Sequence, residues 1–364
     1  TTGNGAMVSA DVAETRSIAL GDIDNDGNLD LVVGNAGQVN RRYLGNGAGA
    51  FAGGVDIDAA TDATSQIRLA DVNCDGDLDL VVGNAGNADK LYLGNGDGTF
   101  GAAMNIGAVA NTTTSIQVAD MNKDGLLDVL AGTSIGALLY QNNGSVNPFN
   151  MVIPFAIAGG ANVSAIDVAD FNGDGSLDVA LGNDDAIDTI TLNPIGPISF
   201  NSVDAADIQT APNTNLELLV ADLNGDGRLD VLRSVTVGNL IIGNLNNGQA
   251  FPNDSLDPDV ELVDFAGTIR SLALGDVNQD GLPDLAVGLN GIPSLFLNSG
   301  NPADPFSGPG ENIGLPSGLF AADIEFGDID GDGFLDAIVA QDFLLGGLLS
   351  SNYVFINSQM ASPF

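Results

Sequence analysis

Short apolar runs rich in Val, Ile and Leu recur along this chain, separated by clusters of Gly, Asn and Asp. One set reads Ser17-Ile-Ala-Leu-Gly21, then Leu31-Val-Val-Gly34, then Tyr43-Leu-Gly-Asn-Gly47, then a more variable Gly54-Val-Asp-Ile57. The same order returns with Ser115-Ile-Gln-Val-Ala119, Leu80-Val-Val-Gly83, Leu91-Tyr-Leu-Gly-Asn-Gly96 and Leu295-Phe-Leu-Asn-Ser-Gly300, and with Met151-Val-Ile153 as a fourth run. Short, β-branched segments bounded by turn residues read as strands. None has the length or the 3.6-residue period of a globular helix. The pattern therefore predicts an all-β chain made of four-stranded units.

A polar nine-residue segment follows the first run of every unit and sets the period. Its positions 1, 3, 5 and 9 hold Asp22, Asp24, Asp26 and Asp30 in the first copy, and Asp71, Asn73, Asp75 and Asp79 in the second. They hold Asp120, Asn122, Asp124 and Asp128, then Asp170, Asn172, Asp174 and Asp178, then Asp222, Asn224, Asp226 and Asp230. The last two copies carry Asp276, Asn278, Asp280 and Asp284, and Asp328, Asp330, Asp332 and Asp336. Successive copies start 49, 49, 50, 52, 54 and 52 residues apart. A fixed period of this size indicates an array of one supersecondary unit. Seven units of four antiparallel strands predict one seven-bladed β-propeller over residues 1–364, whose radial closure protects the sheet edges. The last unit stops after three strands, at Tyr353-Val-Phe-Ile356. The run Gly5-Ala-Met-Val-Ser-Ala10 is expected to supply the missing strand and close the ring; a truncated open array is the competing reading.

The nine-residue segment makes chemical sense as a cage for a hard cation. Position 6 is Gly in all seven copies, where the loop turns sharply. Position 7 would contribute its backbone carbonyl whatever its side chain: Asn28, Asp77, Leu126, Ser176, Arg228, Leu282 and Phe334. Three or four carboxylates with a carbonyl and water meet the six to eight oxygens that Ca²⁺ prefers, whereas Mg²⁺ demands tighter octahedral geometry. Up to seven Ca²⁺ ions, one per unit, are expected. An EF-hand would need a bidentate Glu at position 12, but Val33, Val82, Ala131, Leu181, Arg233, Val287 and Val339 stand there. Position 2 is apolar every time, and position 8 is Leu six times and Pro283 once, so even positions should face the core. A metal-free Asp/Gly turn is the competing reading for one copy; seven copies of clustered carboxylates would repel one another without a counter-ion.

Composition narrows the chemistry further. The 364 residues carry 48 acids against 9 bases, a net charge of −39, with one Cys, no His and no Trp. A single Cys74 excludes an internal disulfide, and the lack of His removes imidazole catalysis and histidine-ligated zinc. The negative charge disfavours nucleic acid. No apolar stretch reaches the length of a membrane span. The chain starts at Thr1 without a leader pattern; a leader removed earlier would be compatible with secretion.

The D-x-[DN]-x-D-G-x-x-D loops, together with Leu91-Tyr-Leu-Gly-Asn-Gly-Asp-Gly-Thr-Phe100, make the chain similar to FG-GAP/VCBS repeat proteins, which include integrin α-subunit propellers. The Phe-Gly and Gly-Ala-Pro signature of the integrin form is poorly kept, so the bacterial VCBS form is the nearer likeness. That resemblance implies a propeller with metal loops on one face and ligand recognition on the other. It points to a secreted or cell-surface, monomeric, non-enzymatic module for adhesion or for an extracellular protein or glycan ligand. Residues expected on the ligand face are Asn35, Arg41, Arg42, Asn84, Asp89, Lys90, Asp184, Asp185, Gln341, Asp342 and Phe343, with the apolar run to Leu349 as a contact patch. For the Arg pair, a solvated turn balancing nearby acids is the competing reading. A lectin is one alternative, although Tyr43, Tyr92, Tyr140 and Tyr353 sit where core aromatics belong. A polysaccharide-acting enzyme is another. The position three before each loop reads Ala19, Arg68, Gln117, Asp167, Leu219, Ala273 and Glu325, and its Arg68, Asp167 and Glu325 could line a central funnel. A structural spacer within a longer surface protein is the third.

Overall fold

A computed structural model describes residues 5–107, 111–149, 155–157, 162–184, 188–193, 205–207, 215–235, 240–244, 260–264, 268–301, 303–313, 320–344, 348–349 and 351–357. Among these residues every regular element is a strand. The molecule is a β-propeller with antiparallel blades. Six blades are each built from four consecutive strands. Their inner strands are Thr15–Gly21, Thr64–Ala70, Thr113–Ala119, Val163–Ala169, Asn215–Ala221 and Ile269–Gly275. Each is followed by a second strand starting at the ninth loop residue, such as the fully buried Asp30–Asn35 or Asp79–Asn84. Against the seven expected, six blades are contiguous, and a further four-stranded sheet is assembled from both ends of the chain. Ala321–Gly327, Asp336–Gln341 and Tyr353–Phe355 come from the C-terminal repeat, and Ala6–Met7 pairs with Tyr353–Phe355 in the register Ala6↔Val354 and Met7↔Tyr353.

The inner strands pack side by side in sequence order, and Ala321–Gly327 packs in turn against Thr15–Gly21. Backbone donors stitch this seam. Ile67 N–H donates to Ser17 Oγ at 3.3 Å, Ile166 N–H to Ser115 Oγ at 3.2 Å and Val220 N–H to Asp167 Oδ2 at 2.8 Å. Ile18 N–H closes the sequence on Asp323 Oδ2 at 3.0 Å. The core lies between sheets, where residues of one blade's second strand meet the next blade's inner strand, as Leu31, Val33, Ile338 and Ala340 do around Ile18.

Position 8 of the loops locks neighbouring blades. A Cβ on Gly21 would lie 2.6 Å from Leu78 Cδ1, and one on Gly327 would lie 2.8 Å from Leu29 Cδ1. The strand-ending glycine thus leaves the hole that the next blade's leucine fills. The fourth run expected at Met151-Val-Ile153 lies outside the described residues; the fourth strand of the third blade is Phe155–Ile157. The Phe343–Leu349 run contributes a small hairpin of its own, Phe343–Leu344 with Leu348–Leu349.

Candidate metal loops and the opposite face

Every loop leaves its inner strand and re-enters the sheet at the ninth residue, so the loops share one face of the ring. In the first loop Asp22 accepts from Asp26 N–H (Oδ1, 3.1 Å) and Gly27 N–H (Oδ2, 2.9 Å). Asn28 N–H donates to Asp26 Oδ1 at 2.8 Å, and Ile23 N–H to Asp30 Oδ2 at 2.9 Å. The second loop repeats this pattern with Asp71, Asp75, Asp77 and Asp79. Backbone N–H groups thus pull the carboxylates inward around a small space. Such a turn needs left-handed backbone at two places. Gly27, Gly76 and Gly125 at position 6 have φ of 90°, 95° and 88°. Position 4 is equally left-handed, at Asn25 (59°), Cys74 (61°), Lys123 (59°) and Gln279 (59°).

Two loops gather three carboxylates. Oxygens of Asp22, Asp24 and Asp30 all lie within 4.8 Å of one another, as do those of Asp328, Asp330 and Asp332. These are the two loops with Asp rather than Asn at position 3. Asp328 Oδ1 is buried there with no hydrogen-bond partner. A partnerless buried carboxylate oxygen beside two further acids fits a cation and little else. Where Asn stands at position 3, its amide partly neutralises the loop: Asn73 Nδ2 donates to Asp75 Oδ2 at 2.8 Å and Asn122 Nδ2 to Asp124 Oδ2 at 2.9 Å. Asn172 and Asn278 do the same. In the fifth loop Asn224 Nδ2 is left buried without a partner, and Arg228 pairs with Asp226 at 3.6 Å.

Position 9 has a second duty. Asp30, Asp79, Asp128, Asp178, Asp230, Asp284 and Asp336 are completely buried. Asp79 Oδ1 also accepts from Gly94 N–H at 2.8 Å, and Asp336 Oδ1 from Asn357 N–H at 2.7 Å. Burial pushes Asp79, Asp128, Asp178, Asp284 and Asp336 up to about 6 against the pull of those N–H groups, and other loop carboxylates add to the rise. Position 7 sends its N–H to the position 5 carboxylate, as Leu126, Ser176, Arg228, Leu282 and Phe334 show.

Two sets of contacts between loops carried no sequence signal of their own. Position 4 side chains reach the next blade: Asn25 Nδ2 donates to Asp77 Oδ1 at 2.8 Å, and Gln279 Nε2 to Gly333 O at 2.6 Å. Buried asparagines after the third strand form a second set. Asn142 Nδ2 donates to Val72 O and Leu127 O, Asn193 to Met121 O and Leu177 O, and Asn298 to Leu223 O and Pro283 O. Asn stands two residues after the third strand in these units and at Asn357, but Gly45 and Gly94 stand there in the first two units, so the position is not marked throughout the chain.

The opposite face corrects several expectations. Asn35 and Asn84 are buried and brace their own hairpins, through Asn35 Nδ2 to Val39 O and Asn84 Nδ2 to Ala88 O. Asp89 is buried too, accepting from Asn84 N–H and Thr113 Oγ1. Gln341 and Asp342 are buried, and Asp342 holds Arg16 and Arg270. Arg41 is spent on Asp11 and Asp56, both at 2.7 Å, and Lys90 on Asp62. Asp184 accepts from Asn162 Nδ2 at 3.1 Å. Asp185 and the Phe343 side chain lie outside the described residues. Arg42 is half-buried. Tyr43, Tyr92 and Tyr140 are buried core residues, with Tyr43 Oη on Asp11 and Tyr92 Oη on Asp58. A groove of about 440 Å³ does open on this face, lined by Val12, Asn35, Gln38, Arg41, Tyr43 and Asn352 among others.

Known proteins add to this picture. A solved lectin of Agrocybe aegerita, described for its recognition of non-reducing terminal N-acetylglucosamine, is similar over 83% of this chain and 81% of its own, with 20% identity and a TM-score of 0.59. BBS1N, solved in complex with ARL6DN, is similar over 98% of both chains, with 13% identity and a TM-score of 0.65 in a lead-soaked crystal. Likeness at such identities speaks for the fold alone. No curated protein matches the sequence. The FG-GAP-like repeat model matches residues 22–82, 71–131, 170–233 and 276–339, each span running from the first residue of one loop through the next loop and into the second strand that follows it. With more than half of the chain matched, and the matched spans falling on the loop-and-strand unit, this protein belongs to the FG-GAP-like repeat family.

Proposed function

We propose that this is a calcium-binding propeller in which Ca²⁺ in the loops stabilises the ring, and that it serves outside the cell as a ligand-binding or adhesion module. The observation that carries the metal reading is the loop starting at Asp328, with three carboxylates within 4.8 Å and Asp328 Oδ1 unsatisfied. The donors are all oxygen, which suits Ca²⁺ over softer metals. The residues that would hold it are positions 1, 3, 5 and 9, with the carbonyl of position 7. On this reading the composite sheet counts as a seventh blade, and each of seven loops takes one ion. Affinities of extracellular Ca²⁺ modules are about 10⁻⁴–10⁻³ M, which favours an outside compartment. Titration calorimetry of chelator-stripped protein should then show Ca²⁺ uptake that Asp328→Asn and Asp330→Asn reduce by one site. No heat of binding at millimolar Ca²⁺ sinks the reading.

Glycan recognition is the second reading. It is favoured by the similarity to the N-acetylglucosamine-binding lectin and by a groove on the face away from the loops. A glycan array probed with and without Ca²⁺ tests it, and an array without a single hit removes it. Enzymatic activity would rest only on Arg68, Asp167 and Glu325, which share the fifth position of their inner strands.

A further inference from the structure

Two of the nine basic residues lie in the nine-residue loops: Lys123 at position 4 of the third and Arg228 at position 7 of the fifth. Position 4 side chains lean onto the following loop. Asn25 reaches Asp77, Cys74 Sγ lies 3.8 Å from Gly125 O, and Gln279 reaches Gly333 O. Lys123 does the same with a charge. Its Nζ lies 3.5 Å from where a Cβ on Gly175 would stand, and that charge acts on Asp174. The third blade thus carries an ammonium to the fourth blade's loop.

In the fifth loop the cation is the loop's own. In the second, third, fourth and sixth loops the position 3 amide donates to Oδ2 of the position 5 aspartate. In the fifth, Asp226 Oδ2 instead pairs with Arg228 Nη1 at 3.6 Å, and the buried Asn224 Nδ2 has no partner. The guanidinium has taken the place of the amide. The first and seventh loops are the opposite case. They have a fourth acid at position 3, three carboxylates within 4.8 Å, and no base in the loop. Arg42 stands beside the first loop, but against the turn at Gly98, where its charge acts on Asp97. These two loops are neighbours across the seam of the ring: Ala321–Gly327 packs on Thr15–Gly21, and a Cβ on Gly49 would lie 3.7 Å from Asp330 Cβ. The fourth and fifth loops are neighbours away from it, on blades whose inner strands also pack together.

We propose that Lys123 and Arg228 are resident counter-ions that lower the Ca²⁺ affinity of the fourth and fifth loops, so that Ca²⁺ fills first the two loops flanking the seam. This rests on the calcium reading above and adds an order to it. A unit positive charge a few ångströms from a divalent ion weakens its binding by about fivefold on an exposed, salt-screened face. The first ions taken up then clasp the ring where the N-terminal strand completes the last sheet, and the far side tolerates their loss.

Competition of chelator-stripped, full-length protein against a fluorescent Ca²⁺ chelator tests the order. The expected isotherm has two ions bound ahead of the rest. Asp24→Asn and Asp330→Asn should each remove one early ion, and Asp174→Asn should leave both. Lys123→Gln and Arg228→Gln should each let one late ion bind at about fivefold lower free Ca²⁺, while Lys90→Gln on the opposite face leaves the isotherm unchanged. Gln is tolerated at position 4, since Gln279 holds it at φ 59°. In excess EDTA the sign reverses. The same two variants should melt about 1–2 °C below the parent, because the unfilled loops have lost their own cation; a merely structural role would not tighten Ca²⁺ binding as well. Seven equal sites, loss of an early ion in Asp174→Asn, or an isotherm unmoved by both Lys123→Gln and Arg228→Gln overturns the proposal. So does an equal shift in Lys90→Gln, or a melt in EDTA no lower than the parent's. No Ca²⁺ uptake by the parent protein is the separate result that removes the calcium reading itself.

Discussion

The nine-residue loop works because each of its positions has one physical task. Position 6 turns the chain and position 4 turns it back; the first is legible because Gly stands there in every copy, the second less so because Gly173, Gly225 and Gly331 share the position with Asn25, Cys74, Lys123 and Gln279. The difference is measurable. Gly76 has open space around a Cβ but φ of 95°, so Gly76→Ala should cost about 1–2 kcal/mol in urea unfolding through backbone strain alone. Lys123→Gly at φ 59° should be nearly neutral or slightly stabilising. Two inner-strand carboxyls predict a pH dependence. The folded values of Glu217 and Glu325, raised by burial to about 8, stand above the ordinary 4.5, so the folded state holds protons the unfolded chain has lost. The stability they contribute is fully present below pH 4.5 and is lost as pH rises through about 8. Melting temperatures of the metal-free protein should fall across that window, and the double variant E217Q/E325Q should fall less steeply. Parallel curves for the two proteins would remove this account of the two carboxyls.

At the scale of elements, the strands and their order were legible because the apolar runs are short, β-branched and fenced by Gly, Asn and Asp. Second strands read as continuous apolar runs since both faces are buried, as in Asp79–Asn84. What the pattern concealed was the use of polar residues inside. Asn35, Asn84 and Asp89 look like exposed turn residues, but each satisfies backbone groups of a buried hairpin that would otherwise be orphaned. The asparagines after the third strand are a stronger case, since each ties its own loop to the one before. Asn142→Ala would leave the carbonyls of Val72 and Leu127 without this donor, and should cost about 2–3 kcal/mol in chemical denaturation. Asn143→Ala, one residue along and exposed, should cost well under half of that.

Taken whole, the molecule is a ring whose first and last repeats must meet. The run from Gly5 to Ala10 was legible as the closing strand because the last unit was one strand short, and Ala6–Met7 takes that place. The blade count was less direct, since six blades are contiguous and the other sheet is composite. The charge of −39 also acquires a location at this scale. The loops hold 23 carboxylates at positions 1, 3, 5 and 9, nearly half of the 48 acids, all gathered on one face. Seven Ca²⁺ would bring the charge to about −25. Without cations these carboxylates repel across and between loops that are linked to one another, so the ring should lose stability as a unit. A thermal melt in excess EDTA against one in millimolar Ca²⁺ measures this most directly. The account predicts a melting temperature lowered by at least about 10 °C in EDTA, restored by Ca²⁺ and not by the same ionic strength of NaCl; an unchanged melt would contradict it.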